Sequence, residues 1–176
     1  SLPPGAPDDL YAQVVEIAHL AGTKLIIASA GEPLIRALAQ RPEVAKQSLA
    51  EFCATFAIPP ESVQDQADLQ RQADRVRQDY RLPALIVTRA ERGILAATPD
   101  GDYLAVCPPQ PAVNAAGAGD CVSAALAWRL GLADPWPEAL RWAAAAGAAG
   151  VLTSGTGELR MDDVLRLIPQ TEVKQI

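Results

Sequence analysis

The chain has 176 residues, a formal net charge of -6, and 49% hydrophobic against 20% charged residues. That length suits one domain of ordinary size or a large part of a bigger one, and the composition is globular rather than disordered. The acidic balance argues against a nucleic-acid surface, which needs a basic stripe, and no apolar run approaches the roughly 20 residues of a membrane helix.

Along the chain, apolar residues alternate between a helical and a strand-like period. Asp8 and Asp9 suit a helix start, because acids favour the positive end of the helix dipole. Leu10, Val14, Ile17, Ala18 and Ala21 then recur on one expected inward face, and Gly22 is a stop signal. "KLIIAS" (24–29) reads as a buried strand, and Pro33 sits near the first turn of a helix through Ala39. "PEVAKQS" (42–48) reads as a strand, and Ser48 leads a helix through Phe56. A polar helix follows from Ala67 to Tyr80, with Leu69, Ala73 and Val76 inward.

Leu85 to Thr88 reads as a third strand. Ile94–Ala97 and Tyr103–Cys107 flank "TPDGD", where Asp100-Gly101 signals a hairpin. Helices are expected to Leu130, from near Pro137 to Leu152, and from Met161 to Leu167, with a loop "TSGTG" (153–157) before the last. Strands alternating with helices imply crossovers and a mainly parallel sheet. Ligands of such sheets sit where strand-to-helix loops converge.

"VNAAGAGDCVSAALAWRL" (113–130) places two glycines and a carboxylate at a helix mouth. Two readings stand. In one, Asp120 is merely an N-terminal acid on a flexible loop. In the other, Gly117 and Gly119 let successive N–H groups converge on an anion, and Asp120 acts as a base in phosphoryl transfer. No Lys-Ser/Thr pair follows, so this is not a Walker loop, and Val122 breaks the dinucleotide spacing. Cys53, Cys107 and Cys121 form no C-x-x-C pair, and His19 stands alone, so reduced thiols of a cytosolic protein are expected. Cys121 reads as a small buried thiol rather than a nucleophile. Trp128, Trp136 and Trp142 read as core or interface anchors.

The same stretch resembles the carboxy-terminal signature of the ribokinase-like carbohydrate kinases. "SLPPGAPDDLYAQVVEIAHLAGTKLIIASAGEPL" (1–34) is similar to the middle of their 1-phosphofructokinase and tagatose-6-phosphate kinase branch. "TPDGDYLAVCPP" and "GTGELRMDDVLRLIP" fall at matching later positions, so the similarity covers essentially the whole chain. It implies a ribokinase-like α/β fold in three α/β/α layers, here the carboxy-terminal portion without the amino-terminal half and lid. It also implies ATP with Mg2+, and transfer of the γ-phosphate to a hydroxyl of a sugar or sugar phosphate. Fructose 1-phosphate and tagatose 6-phosphate exemplify the ketohexose phosphates that the branch implies as acceptors. By that match Asp120 is the catalytic base, and Gly117, Ala118 and Gly119 form the anion hole. Thr88, Gly93, Gly117, Gly119 and Gly155 fall at nucleotide-binding positions, and Glu51 at the magnesium position.

Three departures strain the match. Ser48 replaces the Asn of the family's Asn-x-x-Glu motif, and Ser-x-x-Glu is also a capping box that starts a helix. Ala28 stands where the branch carries an Asp. The Ser-Leu-Gly-x-x-Gly nucleotide loop appears as Thr88-Arg89-Ala90-Glu91-Arg92-Gly93. Thr88 can equally end a strand, and Arg92 reads as solvated. These departures leave open a non-catalytic homologue that binds nucleotide or sugar phosphate, or an association module. The start without Met, on a Pro-rich loop, reads as a segment cut from a longer chain, one whose missing half, partner chain or homo-oligomer would cover an open sheet edge.

Overall fold

The computed structural model describes residues 2–176. In chain order they form α1 (Leu10–Leu20), β1 (Ile26–Ala28), α2 (Gly31–Leu38), β2 (Val44–Ser48), α3 (Leu49–Thr55), α4 (Gln66–Asp79) and β3 (Ala84–Thr88). Then follow β4 (Ile94–Thr98), β5 (Gly101–Val106), α5 (Ala118–Gly131), α6 (Trp136–Gly150), α7 (Met161–Leu167) and β6 (Glu172–Gln175). The strands hydrogen-bond in the order β1-β2-β3-β4-β5-β6, an open α/β sheet. The residues fall into two compact units, one up to Val87 together with Ala97–Pro99, the other Thr88–Ala96 with Asp100–Ile176.

In the first unit β1 and β2 run parallel, with Ile26 opposite Val44 and Ala28 opposite Lys46. β2 and β3 are each buried at four successive positions, as strands covered on both faces are; β3 does this with an apolar run, whereas β2 buries Lys46 and Gln47 after Val44 and Ala45. Leu69, Ala73 and Val76 of α4 are buried as their spacing predicts. The face expected of α1 is a different one. Val15 and Ala18 are buried, while Val14, Ile17 and Leu20 are 40%, 63% and 83% exposed. Apolar residues stand on more than one side of this helix, so its period cannot say which side α2 covers.

The turn at Pro99-Asp100 joins β4 to β5, a connection only antiparallel neighbours can use. β6 pairs antiparallel with β5, from Tyr103 opposite Gln175 to Val106 opposite Glu172. The sheet is therefore mixed rather than mainly parallel. β6 escapes sequence reading because "EVKQ" is polar and exposed apart from Val173, an edge strand without alternation.

Helix ends reveal a further pattern. α1 closes through Gly22 at φ +66°, with Thr23 N–H on the Ala18 carbonyl and Gly22 N–H on that of His19. α4 and α5 close with the same paired bonds, but their left-handed residues are Arg81 and Ala133. Ala57, at φ +50°, plays that part after α3, where Ile58 N–H reaches the Cys53 carbonyl.

Candidate functional site

The Gly-Ala-Gly-Asp stretch folds as a left-handed turn feeding a 14-residue helix. Gly117 is the N-cap of α5 at φ +80°, and its carbonyl takes the Asp120 and Cys121 N–H groups at 2.9 and 3.0 Å. A side chain there would collide with the backbone nitrogen of Gly157, so both the dihedral and the close approach require glycine. The Ala118 N–H reaches the Ala115 carbonyl at only 3.3 Å, and the Gly117 N–H has no partner among the described residues. Asp120 lies exposed in the first turn, and its carboxylate makes no hydrogen bond or ion pair among the described residues. The arrangement is a left-handed turn at a helix N-terminus, a geometry able to receive an anion, with an exposed carboxylate in the first turn.

The alanine-rich α6 explains how α5 is held. A side chain on Gly147 would come within 2.7 Å of Val122, and one on Gly150 within 2.8 Å of the Cys121 sulfur. Small residues on α6 thus let it close against the first turn of α5. Cys121 is buried, and burial foremost, then the Asp120 charge, raises its pKa. It is a packing residue. Trp128 and Trp142 meet edge to face at 5.1 Å, and the Arg129 guanidinium stacks 4.4 Å from the Trp142 ring while pairing with Asp134. These two tryptophans anchor the far end of the same helix pair.

Gly155 lies in the turn that follows α6. The Thr153 hydroxyl closes this turn by donating to the Glu158 carbonyl at 2.8 Å. The turn is bonded to the chain before α5. Val113 N–H donates to the Val151 carbonyl at 2.7 Å, the Asn114 amide nitrogen to the Ser154 carbonyl at 3.1 Å, and Gly157 N–H to the Ala116 carbonyl at 3.2 Å. The structure therefore brings Gly117–Gly119, Asp120 and the 153–157 turn together. Asn114 went unnoticed in the sequence because its partner lies 40 residues on.

Thr88 ends β3, half-buried, and Gly93 follows a short 3-10 turn. Gly93 has φ +82°, and a side chain there would strike the Ala105 carbonyl of β5. Ala90 keeps a glycine-like conformation at φ +52°, so replacing the family's glycine leaves backbone strain rather than a new path. Arg89 N–H bonds the Gly93 carbonyl at 2.8 Å, and its guanidinium bonds the Arg92 carbonyl at 2.6 Å. Burial, then the Arg92 charge, lowers the Arg89 pKa.

Glu51 belongs to the first unit. Ser48 caps α3 in a full capping box: Ser48 N–H and hydroxyl both donate to Glu51 Oε2 at 2.7 Å, and Glu51 N–H returns to the hydroxyl at 3.3 Å. Burial pushes the Glu51 pKa up, but the Ser48 bonds and the charge of Lys46 together outweigh it and hold the carboxyl below its ordinary value. Lys46 is itself buried, at the β2 position opposite Ala28. Among the described residues the box uses Oε2 alone, so Oε1 is the oxygen that could meet a water of a hydrated cation.

No helix among the described residues is long and apolar enough to cross a membrane. The family model for pfkB family carbohydrate kinases matches residues 1–163. The ATP-dependent 6-phosphofructokinase isozyme 2 of Mycobacterium tuberculosis is 32% identical over 94% of this chain and 48% of its own length. The 1-phosphofructokinase of Bacillus subtilis is 26% identical over 100% of the chain and 56% of its own. The phosphofructokinase-2 of Escherichia coli in complex with potassium superposes with a TM-score of 0.86 at 26% identity, over 96% of this chain and 54% of that one. The Arabidopsis thaliana ribokinase complexed with ribose and ATP has a TM-score of 0.79 at 20% identity, over 92% and 53%, which shows the ribokinase-like fold. The chain thus spans about half the length of the curated relatives it matches. The chain belongs to the pfkB family of carbohydrate kinases.

Proposed function

We propose that this chain supplies the phosphate-binding turn and the general base of an ATP-dependent kinase acting on a hydroxyl of a sugar or sugar phosphate. The observation that carries the reading is the pairing of an open left-handed turn at Gly117 with the exposed, uncommitted Asp120 one turn into α5. Asp120 accepts the proton as the acceptor hydroxyl attacks the γ-phosphorus and ADP departs. The amides of Gly117, Ala118 and Gly119 face the charge that gathers on the transferring phosphoryl oxygens. Glu51 would help hold Mg2+ through a water, and the ion would offset the charge of the nucleotide. Thr88, Gly93 and Gly155 border the nucleotide. A ketohexose phosphate is the acceptor class, in keeping with relatives named 6-phosphofructokinase and 1-phosphofructokinase. The remaining acceptor contacts come from outside this chain, from further sequence or a second copy. Three free thiols fit a reducing compartment such as the cytoplasm.

The test is transfer of labelled phosphate from ATP to fructose 1-phosphate, fructose 6-phosphate and tagatose 6-phosphate, with Asp120→Asn alongside. Turnover that falls about 10²- to 10⁴-fold in the variant, with MgATP binding retained, supports the base role. Equal turnover in both removes it. A second reading, a homologue that binds but does not transfer, draws on Ala28 and on the Ser48–Glu51 box; MgATP binding with no transfer to any acceptor would favour it.

A further inference from the structure

We infer that Asn114 is a positioning residue that sets the shape of the Gly117–Gly119 turn by tying it to the 153–157 turn. The inference rests on the reading of that turn as the phosphate site. From Val113 to Gly119 the side chains are Val, Asn, Ala, Ala, none, Ala and none, so Asn114 is the one polar side chain available to hold the segment. Both its ends are used. Its Oδ1 accepts the Ala116 N–H at 3.0 Å, bending the chain into the turn. Its amide nitrogen donates across to the Ser154 carbonyl at 3.1 Å. Backbone bonds flank this tie on either side: Val113 and Asn114 N–H at the Val151 carbonyl, and Gly157 N–H at the Ala116 carbonyl. Gly117 then touches Gly157 with no room for a single carbon.

The consequence is geometric. α5 fixes the amides after Gly117, but the direction of the Gly117 and Ala118 N–H groups depends on residues 114–116, which no helix holds. Those residues are set from the 153–157 side. A displacement of ~1 Å in such a site costs about 10²-fold in rate.

The experiment compares wild type, Asn114→Ala and Asn114→Asp in this chain by amide hydrogen exchange and by MgATP binding. Asn114→Ala is expected to speed exchange at Ala116 and Gly157 about tenfold and to weaken MgATP about tenfold, with α5 amides from Ala125 onward unchanged. Tenfold equals ~1.4 kcal/mol, an ordinary value for one hydrogen bond. Asn114→Asp keeps the acceptor for Ala116 but sets an oxygen against the Ser154 carbonyl. It is expected to protect Ala116 while losing Gly157 protection and MgATP affinity. MgATP binding unchanged in both variants would overturn the inference, as would faster exchange throughout α5 in both, which would make Asn114 a folding residue only. Failure of the wild type to bind MgATP would instead sink the kinase reading, and is seen before any variant is compared.

Discussion

Replacing Ser48 with alanine separates a helix cap from a metal role. The substitution removes two of the three bonds in the box, the hydroxyl donation to Glu51 Oε2 at 2.7 Å and the return bond from Glu51 N–H at 3.3 Å. The bond from Ser48 N–H to Glu51 survives, because it comes from the backbone. Glu51 is exposed, so water replaces the lost partners and no buried polar group is stranded. The loss is then that of an ordinary N-cap, ~1 kcal/mol. For a chain of this size that lowers the melting temperature by about 2–4 °C. The pH dependence follows from the lowered Glu51 pKa. Its stabilising contribution is present above the unfolded value and is lost as pH falls through the folded one. Without the hydroxyl the folded pKa moves back up towards the unfolded value, so the acid-side loss in the variant starts at the same pH, is complete at a higher pH and is smaller in extent. Thermal melts from pH 3 to 7, together with MgATP binding titrated against Mg2+, check both parts. An unchanged melting curve with altered Mg2+ dependence would refute the capping argument.

Ala90→Gly is expected to stabilise the chain by roughly 0.5–1 kcal/mol, because φ +52° penalises a Cβ more than glycine costs in the unfolded state; denaturant midpoints measure it. Gly150→Ala should destabilise by ~1–3 kcal/mol through overpacking against the Cys121 sulfur, and Cys121→Ala in the same chain should recover part of that loss in a double-mutant cycle. Gly93→Ala should cost more than Gly150→Ala, since it meets the rigid Ala105 carbonyl and a left-handed φ together. In thiol labelling at pH 7.5, the half-exposed Cys53 should react before the buried Cys107 and Cys121, all three being slowed by the raised pKa that burial imposes.

What could be read from residues alone was local. Ser48 and Glu51 are three residues apart, so their box is a sequence pattern, and the buried run of β3 declares itself by unbroken apolar residues. The Gly117 turn was legible for the same reason, since its two glycines and the acid stand within four consecutive residues. What stayed hidden depends on distant partners or on residues without a signature. α1 offers apolar residues on more than one side, and only α2 decides between them. Asn114 is an unremarked amide until the 153–157 turn lies against it. β6 has no alternation to find, and Lys46 looks like a surface lysine until the burial of β2 encloses it.

The left-handed stops after α3, α4 and α5 have a practical meaning. Ala57, Arg81 and Ala133 are all exposed, so their side chains are not needed for packing. Each holds a dihedral that glycine would adopt with less strain, by roughly 0.5–1 kcal/mol. They therefore form a route to a more heat-resistant chain that leaves the Gly117–Gly119 turn alone. Glycine at the three positions together is expected to raise the melting point by several degrees, while any nucleotide affinity of the chain stays where it was.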